Sequence, residues 1–326
     1  EPMRAGQQAG TKRAGKPQTG TKPANTGLIG QIWRHRVSYL FAAPFMVCFA
    51  LFTLVPVAVA AALSFTYFNA VQPPRFAGWT NYQLLFSQDL VFLRDVLPNT
   101  FKFALFVGPV GYALAFLLAW FISQLPRTMR TAFALIMYAP SLTMGVAMAV
   151  VWQVMFTGDR TGFINAFLLR WNWIEEPIQF LLDKAYLLNI MIGISIWSGM
   201  GVGFLAILAG LLNVDRTLYE AARVDGLKSR LQEIWHITIP MLKPQMLFAA
   251  VMSLASTLKA GEIGVSLTGQ NPTPDYAGQL MLNHILDYGF IRYEMGYASA
   301  LSVVLLAMTL LITKVCWNLL GTKEEG

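Results

Sequence analysis

The sequence predicts an all-α, polytopic membrane protein with six transmembrane helices and one charged loop on the cytoplasmic side. Of its 326 residues, 56% are hydrophobic and only 13% are charged, and the mean hydropathy is +0.51. Soluble domains carry about 25% charged residues, so this composition indicates a bilayer as the solvent. The apolar residues also gather in long uninterrupted runs, as membrane-spanning helices require.

Six runs approach or exceed the roughly 20 mostly apolar residues that a helix needs to cross the hydrocarbon. They cover residues 39–65, 100–122, 133–156, 185–211, 244–258 and 293–320. Prolines inside the first three runs are compatible with this assignment, because neighbouring helices and water can satisfy the freed backbone groups. Lys259 and Glu262 follow the fifth run, and a break in the helix is expected there.

The positions of Lys and Arg predict the orientation. Fifteen of them lie in the N-terminal tail, in the loops after the second and fourth runs, and at the C-terminus, whereas six lie in the opposite loops. Cytoplasmic flanks of membrane helices carry an excess of positive charge. Both termini and the loop at residues 213–244, called the charged loop below, are therefore expected in the cytoplasm.

Residues 1–35 are predicted to form a disordered, basic cytoplasmic tail, and residues 36–326 the transmembrane domain. The tail is rich in Gly, Lys, Thr, Pro, Ala and Gln and has too little apolar content to fold alone. Its charges precede a membrane span and lack interleaved aromatic residues. The formal net charge of +7 is therefore attributed to membrane topology, and no nucleic-acid partner is expected.

The chain is not expected to carry out covalent chemistry. Its three histidines are scattered, and its two cysteines, Cys48 and Cys316, fall inside apolar runs without metal-ligand spacing. The sequence contains no Ser/His/Asp arrangement, no carboxylate pair in an apolar setting and no phosphate-binding glycine loop. We therefore predict no catalytic residue, no metal and no cofactor held by this chain.

The charged loop is the most strongly patterned part of the sequence and is predicted to begin with a short helix over residues 217–224. The segment Asn213-Val214-Asp215 offers capping residues for this helix, and Gly226 can take a positive φ and end it. Glu220 lies near the start of the helix, where a carboxylate suits the helix dipole.

A second short helix is predicted over residues 228–235. Pro240 and Pro244 are expected to end the segment and to redirect the chain into the next membrane span. The apolar residues of this helix are spaced three to four apart and are expected on one side: Leu231, Ile234 and Trp235.

These residues resemble the coupling loop of ABC importer permeases, the binding-protein-dependent permease family, and specifically the carbohydrate branch typified by the maltose and glycerol-phosphate permeases. The family pattern is Glu-Ala-Ala, three residues, Gly, and an Ile-x-Leu-Pro close. It is matched here by Glu220-Ala221-Ala222, Asp225-Gly226 and Ile237-Thr238-Ile239-Pro240. Ile239 replaces the usual Leu, and the interval from Gly226 to Pro240 is one residue longer than in the family.

The resemblance continues outside the loop and covers roughly residues 36–320. The segment Gly78-Trp79-Thr80-Asn81-Tyr82 is similar to a G-x-x-N-[YF] motif of the family. The segment Thr268-Gly269-Gln270-Asn271-Pro272 is similar to its Thr-Gly-Gly-x-Pro turn. These pieces occur in the family's order, which strengthens the resemblance.

The resemblance implies a permease subunit of an ATP-driven importer of a saccharide or oligosaccharide in the bacterial inner membrane. It implies a second homologous permease, two ATPase subunits that bind ATP and Mg²⁺, an extracytoplasmic solute-binding protein, and surrounding membrane lipid. In the family the loop docks into a cleft on the ATPase. The implied coupling residues are Glu220, Ala221, Ala222, Asp225, Gly226 and Pro240.

Three residues are candidates for the substrate path: Trp197, Lys259 and Glu262. Trp197 lies inside the fourth run, and aromatic faces suit sugar rings, although Trp also anchors helices at membrane interfaces. Lys259 and Glu262 are three residues apart and are expected on one helical face. An ionisable group inside a membrane is costly without water or a partner. Two alternatives therefore stay open: Lys259 and Glu262 pair with each other, or Lys259 faces the translocation path and meets a polar or anionic substrate.

Two other functions stay open at this level. An ABC permease for a solute other than a sugar has the same loop. An ion-coupled secondary transporter instead needs ionisable residues near the bilayer midplane and broken helices in corresponding halves, and the sequence shows no evident repeat.

Overall fold

The computed structural model describes residues 36–142 and 146–320, and the chain divides into two compact units after Val57. The predicted tail at residues 1–35 lies outside the described residues. The described backbone is mostly helical, with one short antiparallel pair in which β1 (Thr66–Tyr67) faces β2 (Arg75–Phe76). The helices are α1 (Arg36–Phe49), α2 (Val55–Leu63), α3 (Thr80–Ser87), α4 (Leu97–Leu105), α5 (Gly111–Ser123), α6 (Arg127–Leu142), α7 (Val146–Met155), α8 (Phe163–Arg170), α9 (Leu187–Ser198), α10 (Val202–Asn213), α11 (Arg216–Val224), α12 (Arg230–Glu233), α13 (Ile239–Lys259), α14 (Glu262–Thr268), α15 (Met281–Leu286) and α16 (Met295–Leu320).

Single π-helical turns join several of these helices without ending them. A π-turn bonds residue i to i+5 and so takes in one more residue than an α-turn. In this way α1 and α2 form one continuous helix, and so do α4 and α5. The π-turns within the described residues are Ala50–Leu54, Phe92–Val96, Phe106–Val110, Ile234–Thr238 and Asp287–Ile291.

By length and apolar composition, three helices in the described ranges are able to cross a membrane: Phe41–Leu63, Phe92–Ser123 and Met295–Val315. They correspond to the first, second and sixth predicted spans. The pair α9 and α10 is a fourth if its two halves count as one span. The helical, membrane-type fold is confirmed, whereas the number of six spans stays a prediction.

The predicted fourth span is a broken helix, because α9 and α10 are bent by 44° at Gly199–Gly201. At the break the Gly199 N–H donates to the carbonyl of Ser195, and the Gly201 N–H donates to the carbonyl of Gly199, both at 2.8 Å. Local hydrogen bonds thus replace the helical ladder where the chain changes direction. Buried backbone groups need such partners, most of all in an apolar setting.

Helix α10 packs closely against α13, the helix that follows the charged loop. A Cβ added to Gly203 would lie 3.3 Å from the Cα and Cβ atoms of Ala249, and one added to Gly210 would lie 2.5 Å from Leu242 Cδ2. Small residues allow such close approach of helix backbones in membranes. Around this contact lies an apolar cluster shared by α5, α10 and α13, with Phe204, Ile207, Ala119 and Leu242 at most 1% exposed.

A buried polar cluster centred on Asp89 ties the start of the long helix Phe92–Ser123 to α15 and α16. Asp89 accepts hydrogen bonds from the Phe92 N–H at 2.8 Å and the Tyr297 hydroxyl at 2.7 Å, and His284 Nε2 lies 3.0 Å from its Oδ2. Burial raises the pKa of Asp89, but the bonds from His284, Phe92 and Tyr297 outweigh it and bring the pKa to about 2. Sequence reasoning did not identify this cluster.

The α10–α13 contact makes a testable prediction about Gly203. We expect Gly203→Leu to force the two helices apart and to destabilise the protein by about 1–3 kcal/mol, the usual cost of overpacking. Thermal unfolding of the detergent-purified protein measures this. Gly193→Leu is the matched control, because Gly193 is exposed on α9 and a Cβ there meets nothing within 4 Å. Equal melting temperatures for the two variants would contradict the prediction.

Candidate functional site in the charged loop

The first helix of the charged loop, α11, begins at a side-chain cap and carries the Glu-Ala-Ala motif. The Asp215 carboxylate accepts the Thr217 N–H at 3.0 Å, as sequence reasoning predicted, and this bond lowers the pKa of Asp215 below its usual range. Glu220 and Ala221 are exposed and Ala222 is half-buried. The motif therefore lies on a helix surface that another molecule can reach.

The first helix ends in a tight turn at Gly226, whose φ is +98°. The Gly226 N–H donates to the Arg223 carbonyl at 3.2 Å, and the Leu227 N–H donates to the Ala222 carbonyl at 3.0 Å. This pair of bonds is a Schellman motif, which satisfies carbonyls at a helix end and needs a left-handed residue, usually glycine. The predicted role of Gly226 in the bend is confirmed.

The second half of the charged loop differs from the prediction, because no helix ends at Pro240 or Pro244. The backbone stays helical from Arg230 through the π-turn Ile234–Thr238 and on through α13. Pro240 lies in the first turn of α13 and Pro244 inside it. The π-turn takes in an additional residue just before Pro240 without breaking the helix, while the longer interval between Gly226 and Pro240 relative to the family stays a prediction.

The second helix has an N-terminal capping box that the sequence contained but our prediction missed. The Ser229 hydroxyl accepts the Gln232 N–H at 3.2 Å, and the Gln232 side chain accepts the Ser229 N–H at 3.2 Å. Ser-x-x-Gln is a recognised start signal for a helix. The helix therefore begins at Arg230 and not at the predicted residue 228.

Glu233 joins the two helices of the charged loop through two ion pairs. Its carboxylate lies 2.9 Å from Arg223 Nε on α11 and 3.2 Å from the Arg230 guanidinium on α12. The Glu233 side chain is only 9% exposed, while those of Arg223 and Arg230 are 51% and 64% exposed. The Tyr219 and Thr238 hydroxyls, 3.0 Å apart, add a second link. The loop is thus braced across its bend.

The outward side of the charged loop is apolar to an unusual degree for a charged segment. Val224 is 87% exposed, Leu231 69% and Trp235 68%. The prediction that Ile234 shares a side with Leu231 and Trp235 is wrong, because Ile234 is buried in the apolar cluster around α10. Exposed apolar residues beside a charged motif are typical of a protein–protein contact surface.

The structure places the three predicted substrate-path residues on three helices, with Trp197 on α9, Lys259 at the end of α13 and Glu262 at the start of α14. Helix α13 ends at Lys259 and α14 begins at Glu262, so the prediction that they share one helical face is wrong, while the expected break between them is confirmed. Glu262 is exposed. The side chain of Lys259 lies outside the described residues, so its pairing and its place on the path stay predictions.

Trp197 lies beside the bend between α9 and α10, with its ring edge-on to Trp152 at 5.4 Å between centroids. The Trp152 indole nitrogen is buried and has no hydrogen-bond partner among the residues that the structure describes. A cavity of about 200 Å³ at the bend is lined by Ser198 and Gly199 but not by Trp197. Its further polar lining residues are Tyr112, Ser141, Ser195 and Ser253.

A bundle of apolar helices with a braced, solvent-facing loop between two of them defines a membrane transport subunit. The family described as binding-protein-dependent transport system inner membrane component matches residues 109–315, more than half of the chain. The chain belongs to this family, and it is a transport component and not an enzyme.

Individual relatives support the same assignment. The chain is 28% identical to the arabinooligosaccharides transport system permease protein AraP of Bacillus subtilis (strain 168), over 94% of this chain and 100% of AraP. It is 30% identical to the probable ABC transporter permease protein YesP of the same organism, over 88% and 93%. It also matches a chain of the bacterial alginate ABC transporter solved in complex with an alginate pentasaccharide-bound periplasmic protein, with a TM-score of 0.71, 25% identity and coverage of 89% and 95%. The resemblance to ABC importer permeases is confirmed.

The ion pairs of Glu233 make a prediction about acid. The hydrogen bond from Arg223 lowers the pKa of Glu233 against the opposing effect of burial. A lowered folded-state pKa stabilises the loop above the unfolded pKa of about 4.3, and that stabilisation is lost as the pH falls through the folded value. We expect normalised hydrogen-exchange protection of residues 216–238 to be constant above about pH 5 and to fall below about pH 4.

Glu233→Gln separates this effect from that of the Asp215 cap, whose pKa is also lowered by its hydrogen bond with Thr217. At neutral pH the free energy of local opening in this variant should fall by about 1 kcal/mol. The loss is small because solvent screens the half-exposed guanidiniums, and the protection of the variant should change less with pH between about 5 and 4. Glu176→Gln, an exposed acid outside the loop, is the control. Protection identical to that of the unaltered protein at every pH would rule out this role for Glu233.

Proposed function

We propose that this chain is one of two permease subunits of an ATP-driven importer for a saccharide or oligosaccharide, driven through its charged loop. The observation that carries the proposal is the outward surface of α11, where Glu220 and Ala221 are exposed on a helix closed by the left-handed turn at Gly226. The matching relatives AraP and the alginate transporter, whose names specify oligosaccharide cargo, support the substrate class.

In this mechanism the charged loop docks in a cleft of an ATPase subunit. Glu220 pairs with a basic group of the ATPase, Ala221 and Ala222 permit close approach, and Asp225 and Pro240 complete the docked surface. The ion pairs of Glu233 matter because they fix the angle between α11 and α12. If that angle could change at Gly226, the movement of the ATPase would flex the loop and would not reach the membrane domain. The continuous helix from Arg230 into α13 carries the movement directly into the membrane domain.

The complete transporter then contains a second homologous permease, two ATPase subunits that hold ATP and Mg²⁺, and an extracytoplasmic solute-binding protein. The periplasmic protein bound to the alginate transporter supports the last of these. The permease has six spans if α6 with α7 forms the third and α13 the fifth. Both termini then lie in the cytoplasm with the charged loop, as the excess of Lys and Arg favours.

The bend between α9 and α10 is the place for the saccharide in this proposal. Broken helices inside a membrane expose backbone and side-chain polar groups that can bind a hydrated ligand. The serine-lined cavity offers hydroxyls, and the rings of Trp152 and Trp197 lie beside the bend. Lys259, at the break after α13, supplies positive charge for an acidic saccharide, and Glu262 follows at the start of α14.

Glu220→Arg tests the coupling. Charge reversal should repel the basic group of the ATPase, so we expect the ATPase that co-purifies with the chain to be lost or reduced at least tenfold, with transport lost in parallel. Glu176→Arg, an exposed acid outside the loop, is the matched control and should retain the ATPase. Full retention and full transport in Glu220→Arg would overturn the proposal.

Gly226→Leu tests the shape of the loop separately from its charge. Nothing lies within 4 Å of a Cβ at Gly226, so the expected defect comes from backbone strain at positive φ, about 1–2 kcal/mol. We expect weaker ATPase retention with an intact membrane domain. Gly269→Leu is the control, because Gly269 has a φ of +70° and the same open space but lies outside the charged loop. Equal ATPase retention in both variants would contradict the assigned role.

A further inference from the structure

A cavity lies between the charged loop and the neighbouring ends of the membrane helices. Its volume is about 640 Å³. The helix ends contribute Trp120 near the end of α5, Arg130 near the start of α6, and Leu211 and Leu212 near the end of α10. The loop closes the other side with residues of α11 and α12. Glu220, which the proposed function assigns to the ATPase contact, is among the loop residues that line this cavity, whereas the proposed saccharide path uses a different cavity.

Four arginines and two glutamates line the cavity, which leaves an excess of two positive charges. Arg223 and Arg230 already pair with Glu233. Arg130 and Arg216 also line the cavity, and neither side chain has an ion pair among the residues that the structure describes. Arg130 is half-buried, so its guanidinium is partly withdrawn from bulk water. Charge in such a setting favours an anionic partner.

The chemistry of the lining specifies the kind of anion. Guanidinium groups bind phosphate oxygens through paired, charge-assisted hydrogen bonds, and arginine is the preferred residue for phosphate recognition. The hydroxyls of Ser123, Tyr219 and Thr238 add polar groups to the lining. The phosphodiester of a phospholipid presents two unesterified oxygens that share one negative charge, and each oxygen can accept from a guanidinium.

The apolar lining distinguishes between sources of phosphate. Trp120, Leu211 and Leu212 belong to the last turns of helices that cross or approach the membrane, and they face the same cavity as the arginines. A free phosphate leaves these apolar surfaces in water, whereas a phospholipid covers them with its glycerol and first acyl carbons. Anionic headgroups are also attracted to clusters of Lys and Arg beside a membrane helix.

We infer that this cavity is a binding site for a phosphate group, with Arg130 and Arg216 as its principal ligands, and that an anionic phospholipid of the leaflet nearest the charged loop supplies the phosphate. A bound headgroup connects the start of α6 to the start of α11. It therefore holds the loop against the membrane domain and leaves the exposed Val224, Leu231 and Trp235, which do not line the cavity, uncovered.

The experiment uses the full chain with its co-purifying partners in lipid nanodiscs. In the first arm the discs contain phosphatidylcholine with phosphatidylglycerol at about 30%, and native mass spectrometry counts the phosphatidylglycerol that the released protein retains. In the second arm the discs contain phosphatidylcholine alone, and inorganic phosphate is titrated against chloride at equal ionic strength, with the melting temperature as the readout.

The test variant is Arg130→Gln/Arg216→Gln, for which we expect retention of phosphatidylglycerol to fall about tenfold or more. The matched control, Arg127→Gln/Lys228→Gln, removes two exposed charges from neighbouring positions that do not line the cavity, and should stay within about twofold of the unaltered protein. Arg130→Lys/Arg216→Lys keeps the charge but not the guanidinium geometry, and should give an intermediate loss. This variant keeps the test decisive if the Gln variant does not fold.

Selective retention of phosphatidylglycerol that depends on Arg130 and Arg216 supports the inference with lipid as the source. Stabilisation by inorganic phosphate without lipid retention supports the phosphate site but overturns its assignment to lipid. Equal loss in the test and control variants shows a general surface-charge effect and overturns the inference. So does the absence of both lipid retention and phosphate stabilisation in the unaltered protein.

Discussion

The close approach of α10 and α13 at Gly203 and Gly210 is the contact on which the rest of the site depends. These helices enter and leave the charged loop, so their separation sets the distance that the loop must bridge. A side chain larger than hydrogen at either glycine would meet the opposite helix. Little hydrophobic driving force acts between helices in lipid, and tight packing of small residues is one of the interactions that hold them together.

The charged loop is rigid for reasons that are local and additive. Asp215 caps its first helix, Gly226 closes that helix with a Schellman turn, and the Ser229–Gln232 box starts the second. Glu233 then ties the two helices together across the bend. Each interaction stabilises the folded loop by about 1 kcal/mol, and together they hold its two helices in a fixed arrangement. The proposed transmission of movement from an ATPase requires such an element.

Helix α10 connects two regions, the charged loop at its end and the bend with α9 at its start. In the charged loop the charged side chains are solvated, and the apolar residues Val224, Leu231 and Trp235 are exposed. At its start α10 is bent away from α9, and a small serine-lined cavity lies at the bend. A movement applied at the loop reaches this bend along a single helix of 12 residues. The same helix thus links the proposed drive to the proposed path of the cargo.

Much of the candidate site was predictable from sequence because its signals are local. The Asp215 cap, the exposed Glu-Ala-Ala motif and the Gly226 turn each depend on a few neighbouring residues, and the structure agrees with all three. The Ser229–Gln232 capping box was equally local and was missed. Local proline signals misled us, since Pro240 and Pro244 lie within a continuous helix that a π-turn and tertiary packing sustain.

The sequence by itself determined that the chain is a helical membrane protein of the importer permease type, because composition, charge asymmetry and an ordered set of short motifs are properties of the chain alone. Only the tertiary structure decided what the side chains meet. It paired Glu233 with Arg223 ten residues away, brought Asp89 to His284 and Tyr297, and placed Arg130 and Arg216 in the lining of one cavity. Such pairings depend on how helices pack in space, which helical periodicity does not encode.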